Sequence, residues 1–387
     1  MARRVSILGV TGSIGANTVR VIEAAGPGAY ETVAVTGQSN IDGLADAARR
    51  LGAEVAVTAD PARLGDLRAA LAGTGVEAAA GEAALVEAAT RPADWVMSAI
   101  VGAAGLRPTL AAVGTGATIA LANKECLVAA GGLFLAEIAR SGATLLPVDS
   151  EHNAIFQLTA AERAPIERLI LTASGGPFRT RSREEMARVT VAEAVAHPNW
   201  SMGQRISIDS ASMFNKALEM IEAWHLFEVT PEQVEVIVHP QSIIHSMVGY
   251  ADGSILAHLG PADMRVAIGH ALAWPDRRGL DTERLDFAAL ARLDFEAPDE
   301  ARFPALALAR AAMRRGGVAG CVMNAAREVA LDAFLEGRIG FLAMADLVAG
   351  AMEHLDGLPP ATDLDAVFAA DAEARRVGRA LADRFAA

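Results

Sequence analysis

Short apolar strands alternate with helical segments through the first third of the chain, and this alternation limits the fold more than any other feature. We predict six strands there, at Val5–Leu8, Thr32–Val35, Val55–Thr58, Trp95–Ile100, Thr118–Leu121 and Thr144–Val148. The segments between them are rich in alanine and leucine and are predicted as helices. A repeating strand–helix–strand pattern favours a doubly wound parallel sheet. The sequence therefore predicts an α/β fold with a Rossmann-like N-terminal domain.

The regular alternation stops near residue 150. Further strands are predicted at Arg168–Thr172, Val234–Val238, Ile243–Val248 and Ile255–Leu259. The last two flank Asp252-Gly253, a hairpin turn signal, so we expect an antiparallel element and α+β character. After Pro304 the pattern is almost wholly helical, which predicts a C-terminal helical bundle. The predicted domains are residues 1–149, 150–274 and 300–387, with residues 275–299 as a linker rich in Asp and Arg.

Composition excludes several classes of partner. The chain has 387 residues, of which 34 are basic and 47 acidic, for a net charge of −13. This balance argues against non-specific binding to nucleic acid or to an anionic membrane. Two cysteines cannot form a disulfide framework or a cysteine-rich zinc site. A reducing cytoplasm fits this cysteine content, and the charge leads us to expect no nucleic-acid or membrane partner. The N-terminal apolar stretch ends in glycines and polar residues, unlike a signal peptide.

A glycine turn, Gly9–Gly15, follows the first predicted strand and opens a helix. Its spacing, G-x-x-G-x-x-G, is a variant of the dinucleotide-binding fingerprint. Glycines at these positions allow a tight turn and the close approach of a pyrophosphate to the helix N-terminus. The alternative is a glycine turn that is only structural.

The second strand ends in Thr36–Asn40, where an NAD site usually has a carboxylate for the ribose 2′-hydroxyl. No carboxylate occurs before Asp42, which favours NADP over NAD. Neither arginine nor lysine takes its place in this loop.

The segment Leu145–Phe156 changes abruptly from an apolar run to Asp149, Ser150 and Glu151. Ligands of open α/β sheets bind at the carboxyl ends of strands. Two carboxylates at such an end repel each other unless a cation lies between them, and a hard cation such as Mg²⁺ would serve. The alternative is a strand end with acidic residues that cap the next helix.

Two other strand ends hold polar residues. Ala122–Glu125 places Lys124 where it could contact substrate or nicotinamide, or could be a surface lysine paired with Glu125. Thr172–Phe178 contains Ser174 followed by two glycines, a pattern that suits a phosphate oxygen or a plain turn.

The loop His197–Gly203 holds a histidine and Trp200 between Pro198 and Gly203. An exposed tryptophan on a loop is costly unless it covers something, so we predict a lid over a bound ligand. The alternative is a tryptophan packed into the core. His239 and His245 are separated by Pro240, which interrupts helical ligand spacing, and we predict structural or interface roles for both.

Ser210–Glu219 is predicted to start with helix-capping residues and to continue as a helix. Asn215 and Lys216 then lie four and three residues before Glu219, on one face. Ser210 near the helix N-terminus would add donors for an anion. The alternative is a solvated face with a Lys–Glu pair.

In order and spacing these motifs closely resemble those of the 1-deoxy-D-xylulose 5-phosphate reductoisomerases, a family of isoprenoid biosynthesis. The resemblance spans nearly the whole chain. It includes the glycine turn, Ala99–Leu106, Ala122–Glu125, Pro147–Gln157, Ala173–Phe178, His197–Gly203, Asp209–Glu219, His239–Val248 and Asn324–Glu328.

The resemblance implies a V-shaped subunit with an NADPH-binding domain (1–149), a catalytic and dimerisation domain (150–274) and a helical domain (300–387). It also implies a homodimer that uses NADPH and Mg²⁺ or Mn²⁺, with Co²⁺ as an alternative, to convert 1-deoxy-D-xylulose 5-phosphate into 2-C-methyl-D-erythritol 4-phosphate. The expected steps are a retro-aldol/aldol rearrangement and a hydride transfer from NADPH.

Site residues follow from motif position. The implied metal ligands are Asp149, Glu151 and Glu219. Contacts to the cofactor are expected from Thr11, Gly12, Ser13, Ile14, Gly37, Gln38, Ser39, Asn123, Glu125 and Gly203. Contacts to the substrate are expected from Lys124, Ser150, Glu151, Ser174, His197, Ser210, Asn215, Lys216 and Glu219. Among these, Glu151, Lys124 and His197 are the catalytic candidates, and His197, Trp200 and Met202 would belong to the lid.

Two positions depart from the family pattern: Gln38 stands where many relatives have lysine, and Cys126 replaces the usual serine after Asn-Lys-Glu. Two other functions stay open at this point. One is an ordinary NADP- and metal-dependent hydroxy-acid or sugar dehydrogenase. The other is a non-catalytic nucleotide sensor, which predicts lost metal ligands, whereas all three carboxylates are present.

Overall fold

The structure is a computed structural model that describes residues 2–162, 164–200 and 203–386. The chain divides into two compact units. The first unit comprises Met1–Cys126, Phe134–Asn153 and Asp263–Glu283, and the second comprises Leu127–Leu133, Ala154–Ala262 and Arg284–Ala387. The predicted domain boundaries remain a prediction. None of the helices in the described ranges is both long and apolar enough to cross a membrane.

A seven-stranded sheet forms the centre of the first unit. Its strands are β1 Arg3–Leu8, β2 Tyr30–Gly37, β3 Val55–Thr58, β4 Glu77–Ala80, β5 Trp95–Ser98, β6 Thr118–Leu121 and β7 Thr144–Pro147. Every pairing is parallel, in the order β4-β3-β2-β1-β5-β6-β7. The predicted Rossmann-like sheet is therefore confirmed. Continuous burial of β3 and β5 fits strands that are covered on both faces.

The helices that follow these strands are α1 Ser13–Ala24, α2 Ile41–Leu51, α3 Leu64–Ala70, α4 Glu82–Thr90, α5 Leu106–Val113 and α6 Glu125–Ser141. Short 3₁₀ turns precede α3 at Pro61–Arg63 and α5 at Ala103–Gly105. A later helix, Met264–Ala273, also packs in this unit, since the Trp95 indole donates to the Ala271 carbonyl at 3.0 Å.

All six strands predicted in this region form, but sequence analysis missed β4. Its four residues, Glu-Ala-Ala-Ala, have low strand propensity and no alternating pattern. Pairing with the edge of β3, from Val55 to Thr58, makes this segment a strand. Tertiary context therefore overrides local preference at this position.

A four-stranded mixed sheet belongs to the second unit, in the order β11-β10-β8-β9. Its strands are β8 Ile166–Ala173, β9 Val234–Val238, β10 Ile244–Tyr250 and β11 Ile255–Leu259. The predicted hairpin is confirmed because β10 and β11 pair antiparallel across Asp252-Gly253, where Gly253 has a φ of +86°. β8 and β9 pair parallel, which the sequence pattern did not indicate.

Helices make up most of the remaining chain. In chain order they are α7 Ser150–Ala161, α8 Arg183–Met186, α9 Val191–Ala194, α10 Gln204–Ala211, α11 Phe214–Leu226, a 3₁₀ turn at Pro231–Gln233, α12 Met264–Ala273, α13 Phe287–Leu290, α14 Ala305–Arg315, α15 Ala319–Leu335, α16 Ala343–His354 and α17 Leu364–Ala386. The last four confirm the predicted C-terminal helical bundle. One continuous core joins this bundle to α11 and the four-stranded sheet.

Two ion pairs of unequal burial link α10 to α15. Arg327 donates to Asp209 at 2.7 Å, and their side chains are 5% and 7% exposed. Arg205 meets Asp332 at 2.5 Å, but both side chains are 47% exposed. Breaking a buried pair leaves an uncompensated charge out of water, whereas solvent screens an exposed pair.

We predict that Arg327→Met destabilises the chain by about 3–5 kcal/mol, because Asp209 keeps its buried charge. Arg205→Met removes the exposed ion pair between the same two helices and should lower the free energy of unfolding by only about 0–1 kcal/mol. Urea unfolding followed by circular dichroism measures both values. If both variants lost the same free energy of unfolding, burial would not be what makes the Arg327–Asp209 pair important.

Candidate active site

The first unit collects its functional loops along one edge of the sheet. Because all seven strands are parallel, their carboxyl ends lie at the same edge. The glycine turn follows β1, the Gln38 loop follows β2, Asn123 and Lys124 follow β6, and Asp149 follows β7. The topology therefore brings the predicted cofactor and acidic residues of this unit to one side.

The glycine turn has the geometry that its sequence predicts. Gly9 has a φ of +91°, and a Cβ there would lie 2.6 Å from the Ala99 carbonyl oxygen. A Cβ on Gly15 would lie 2.3 Å from the carbonyl oxygen of Gly9. Side chains at either position would push the turn apart. The helix α1 then starts at Ser13 with Gly12 as an N-cap that has no side-chain hydrogen bond and with no acidic residue in its first turn, which suits an anion.

The glycine turn is joined to the end of β2. The Gly9 and Val10 amides donate to Thr36, at 2.9 Å to its hydroxyl and 2.8 Å to its carbonyl. A Cβ on Gly37 would lie 3.3 Å from the Thr11 methyl group. The structure thus brings Thr11 beside Gly37, and the following Gln38 and Ser39 are exposed.

Asn123 is buried and ties two loops together. Its amide nitrogen donates to the carbonyls of Ile100 and Gly102, and its side-chain oxygen accepts the Cys126 amide at 3.2 Å. These bonds fix the loop after β5 against the start of α6, where the buried Glu125 lies. Asn123 therefore shapes this part of the edge.

Lys124 is buried and not a surface lysine. Its ammonium meets the Asp149 carboxylate at 2.7 Å, across the neighbouring loops that follow β6 and β7. His152 Nδ1 lies 3.7 Å from the other Asp149 oxygen. The Ser150 hydroxyl donates to Glu151 at 2.6 Å where α7 begins. A cation and two carboxylates are thus concentrated at one strand end.

Sequence analysis missed a contact that holds this strand end. The Asn153 amide donates to the Pro147 carbonyl at 2.8 Å and lies 3.2 Å from His270 Nδ1. Burial lowers the pKa of His270 to about 4, so its ring is neutral and can accept this bond at neutral pH. No local signal connects residues 117 positions apart in the chain.

In the second unit, His197 orders the loop that sequence analysis identified as a lid. Its Nδ1 accepts the amides of Asn199 and Trp200, at 3.1 and 2.9 Å. Its Nε2 is 2.9 Å from the Ser174 hydroxyl. An Nδ1 that accepts two bonds has no proton, so the neutral ring holds its proton on Nε2 and donates to Ser174.

Trp200 is half-buried, with its ring centroid 6.3 Å from that of His245. The Asn199 amide donates to the Ser242 hydroxyl at 3.0 Å and so attaches this loop to the segment before β10. Met202, which we assigned to the lid, lies outside the described residues, as does Ser201. Gly203 is exposed and caps α10. Whether the loop moves stays a prediction.

Ser210 does not cap a helix, contrary to the sequence analysis. It lies in the last turn of α10, and a second helix, α11, starts at Phe214 after Met213 adopts a φ of +64°. The two helices are separate because the left-handed residue breaks the hydrogen-bond ladder. Ser210 still lies near the candidate phosphate loop, since a Cβ on Gly176 would be 3.1 Å from the Ser210 carbonyl oxygen.

Glu219 is buried on the face that the sequence spacing predicted. It accepts hydrogen bonds from the Asn215 amide and the Lys216 ammonium, one and nearly one turn earlier in α11. The Lys216 and Glu219 side chains are only 5% and 1% exposed, which excludes the solvated-face alternative. Asn215 and Lys216 lie in the first turn of α11, where helix amides favour an anion.

The fold and the glycine turn place the chain among dinucleotide-binding α/β proteins. Family models described as 1-deoxy-D-xylulose 5-phosphate reductoisomerase match residues 5–131, with its C-terminal domain models at 145–227 and 259–377. The reductoisomerase of Sinorhizobium fredii is 65% identical over 96% of each chain, and that of Rhizobium meliloti is 65% identical over 97% of each chain. The chain belongs to the 1-deoxy-D-xylulose 5-phosphate reductoisomerase family.

Solved structures agree over the full length. The Zymomonas mobilis reductoisomerase in complex with NADPH is 53% identical and covers 99% of this chain and 100% of its own, with a TM-score of 0.93. A reductoisomerase in complex with NADPH, fosmidomycin and magnesium is 41% identical and covers 98% of each chain, with a TM-score of 0.92. These similarities confirm the family that the motifs indicated.

We predict that the His197 loop loses order in acid. Burial lowers the pKa of His197 below its ordinary value of 6.5, so folding favours the neutral ring. The two amide bonds to Nδ1 are then complete above that value and are lost as the pH falls through the lowered pKa. Trp200 fluorescence should report this transition. It is obtained by subtracting the fluorescence of the Trp200→Phe variant from that of the unaltered protein.

His197→Asn should remove the acid transition. His245→Asn is the control, because the His245 ring also lies beside Trp200. A transition that persists in His197→Asn and disappears in His245→Asn would show that the signal belongs to His245.

Proposed function

We propose that the chain catalyses the NADPH-dependent rearrangement and reduction of 1-deoxy-D-xylulose 5-phosphate to 2-C-methyl-D-erythritol 4-phosphate in isoprenoid biosynthesis. The observation that carries the proposal is identity of 65% over 96% of the chain to a named reductoisomerase. Solved relatives bind NADPH, magnesium and fosmidomycin, which supports the same cofactor and metal here.

The proposed metal ligands are Asp149, Glu151 and Glu219, a group of carboxylates that could hold a metal ion. All three offer hard oxygen atoms, which suit Mg²⁺ or Mn²⁺, with Co²⁺ as an alternative. Their negative charges are counterbalanced by Lys124 beside Asp149 and Lys216 beside Glu219. The donor set therefore fits a divalent cation.

The proposed phosphate site lies within the second unit. Ser174 and Ser210 supply hydroxyls, Asn215 an amide, and Lys216 an ammonium at the first turn of α11. A helix N-terminus and a lysine together attract a dianion even though the whole chain is acidic. His197 Nε2 beside Ser174 extends this group of donors.

When bound, the metal supplies Lewis-acid polarisation of the substrate oxygens and NADPH supplies the hydride. Glu151 is proposed to take and return the proton of a substrate hydroxyl during carbon–carbon cleavage and re-formation. Its carboxylate already accepts a hydrogen bond from a hydroxyl group, that of Ser150. Lys124 would orient substrate oxygens together with Ser150. The loop His197–Trp200 would exclude water from reactive intermediates.

We also propose a homodimer. β11 is an edge strand of the four-stranded sheet, and its Ile255 and Leu256 side chains are 45% and 40% exposed. Exposed apolar residues on a sheet edge favour association with another chain. A cytoplasmic location is proposed for the enzyme, because its two cysteines are free thiols and a reducing compartment keeps them so.

Sedimentation equilibrium should therefore give twice the mass of one chain. Leu256→Lys places a charge on the exposed edge and should shift the equilibrium towards monomer. Phe287→Lys is the control, since Phe287 is more exposed but lies outside both sheets. A monomeric mass for the unaltered protein would contradict the dimer.

The assay that tests the function is NADPH oxidation with 1-deoxy-D-xylulose 5-phosphate, with and without a chelator. We expect turnover that the chelator abolishes and Mg²⁺ restores. Product analysis should give the rearranged 2-C-methyl-D-erythritol 4-phosphate. An unrearranged polyol would instead identify the alternative, a simple dehydrogenase.

Glu219→Gln should lower turnover by roughly 10²-fold or more, because a charged ligand is removed from a Lewis-acid site. The fold should survive, since the amide can still accept from Lys216. Glu222→Gln is the matched control, as Glu222 is equally buried on the same helix. Near-normal activity of Glu219→Gln with unchanged Mg²⁺ dependence would refute the ligand assignment.

A further inference from the structure

The loop after β2 has only neutral side chains where an NADP cofactor needs a cation. In dinucleotide folds the ribose 2′ position lies beside the end of the second strand, where an arginine accommodates a 2′-phosphate. Gln38, Ser39 and Asn40 occupy this loop and are exposed. An amide such as that of Gln38 can donate to a phosphate but cannot balance its charge.

The next strand brings a cation to this loop. β3 pairs with β2 so that Thr58 is opposite Gly37. The Thr58 hydroxyl donates to the Gln38 carbonyl at 2.5 Å, which fixes the two strand ends together. The chain then turns through Pro61–Arg63, and Arg63 Nη1 returns to the Ser39 carbonyl at 3.3 Å.

The Arg63 guanidinium is held but accessible. Its Nε donates to Asp66 at 2.5 Å, and the Arg63 side chain is 40% exposed. These two bonds use two of the five N–H donors of a guanidinium, which presents a planar fork that matches phosphate oxygens. Asp66 is itself 60% exposed, so solvent screens its opposing charge.

We propose that Arg63 binds the 2′-phosphate of NADPH and sets the preference of this chain for NADPH over NADH. The inference rests on the proposed function, which supplies the dinucleotide. The positive charge of Arg63 balances the charge of the 2′-phosphate, which the neutral Gln38 amide cannot do. Ser39 and Asp66 position its guanidinium, so part of the side chain is ordered before the cofactor binds.

Binding measurements on the full chain test this assignment. NADPH and NADH are titrated by nicotinamide fluorescence, and 2′,5′-ADP and 5′-AMP by calorimetry. Arg63→Gln should raise the Kd for NADPH and 2′,5′-ADP about tenfold and leave NADH and 5′-AMP nearly unchanged, because only a charge-assisted phosphate contact is lost. Arg68→Gln removes an exposed arginine from the adjoining helix α3 and should change none of the four.

Two further variants separate the possible outcomes. Gln38→Lys should tighten NADPH binding about fivefold and should restore it in the Arg63→Gln background. Asp66→Asn should leave NADPH binding nearly unchanged, because solvent already screens the Asp66 charge and the amide oxygen can still accept from Arg63. Unchanged NADPH affinity in Arg63→Gln, or equal losses for NADPH and NADH, would overturn this assignment alone. If the unaltered chain binds NADH as tightly as NADPH, the proposed cofactor fails as well.

Discussion

Parallel pairing of the seven strands in the first unit is the constraint on which the remaining features of that unit depend. It places every carboxyl strand end at one edge, so residues from distant parts of the sequence meet there. Hydrogen bonds then connect neighbouring loops: Asn123 binds the loop after β5, and Lys124 pairs with Asp149 after β7. Without a common edge, the glycine turn and the acidic strand end would be separate features.

Buried charge organises the second unit. Glu219 is balanced by Lys216 on its own helix, and Asp209 by Arg327 on α15. A lone charge in either position would be strongly unfavourable, so each pair is held in place by the cost of separating it. In the proposed site the charges of α11 gain ligands of opposite sign, a phosphate for Lys216 and a metal for Glu219. The contacts within α11 therefore hold Lys216 and Glu219 in defined positions.

Much of this organisation could be predicted from local sequence. Ten of the eleven strands follow from apolar runs and turn residues, and the glycine turn follows from its spacing. The shared face of Asn215, Lys216 and Glu219 follows from the helical repeat. Two local predictions failed for physical reasons: β4 has alanines that only pairing makes extended, and Met213 adopts a left-handed conformation that ends the helix of Ser210.

By itself, the sequence determined the fold class, the family and the types of residue at the site, because these depend on short-range patterns and on motif order. The tertiary structure decided the partners. Lys124 is buried and pairs with Asp149, the Asn153 amide lies within hydrogen-bond distance of His270, and Arg63 donates to the Ser39 carbonyl. Each contact joins residues far apart in the chain, and strand pairing or helix packing sets the distance between them. No local periodicity encodes that distance, so these contacts became known only from the folded chain.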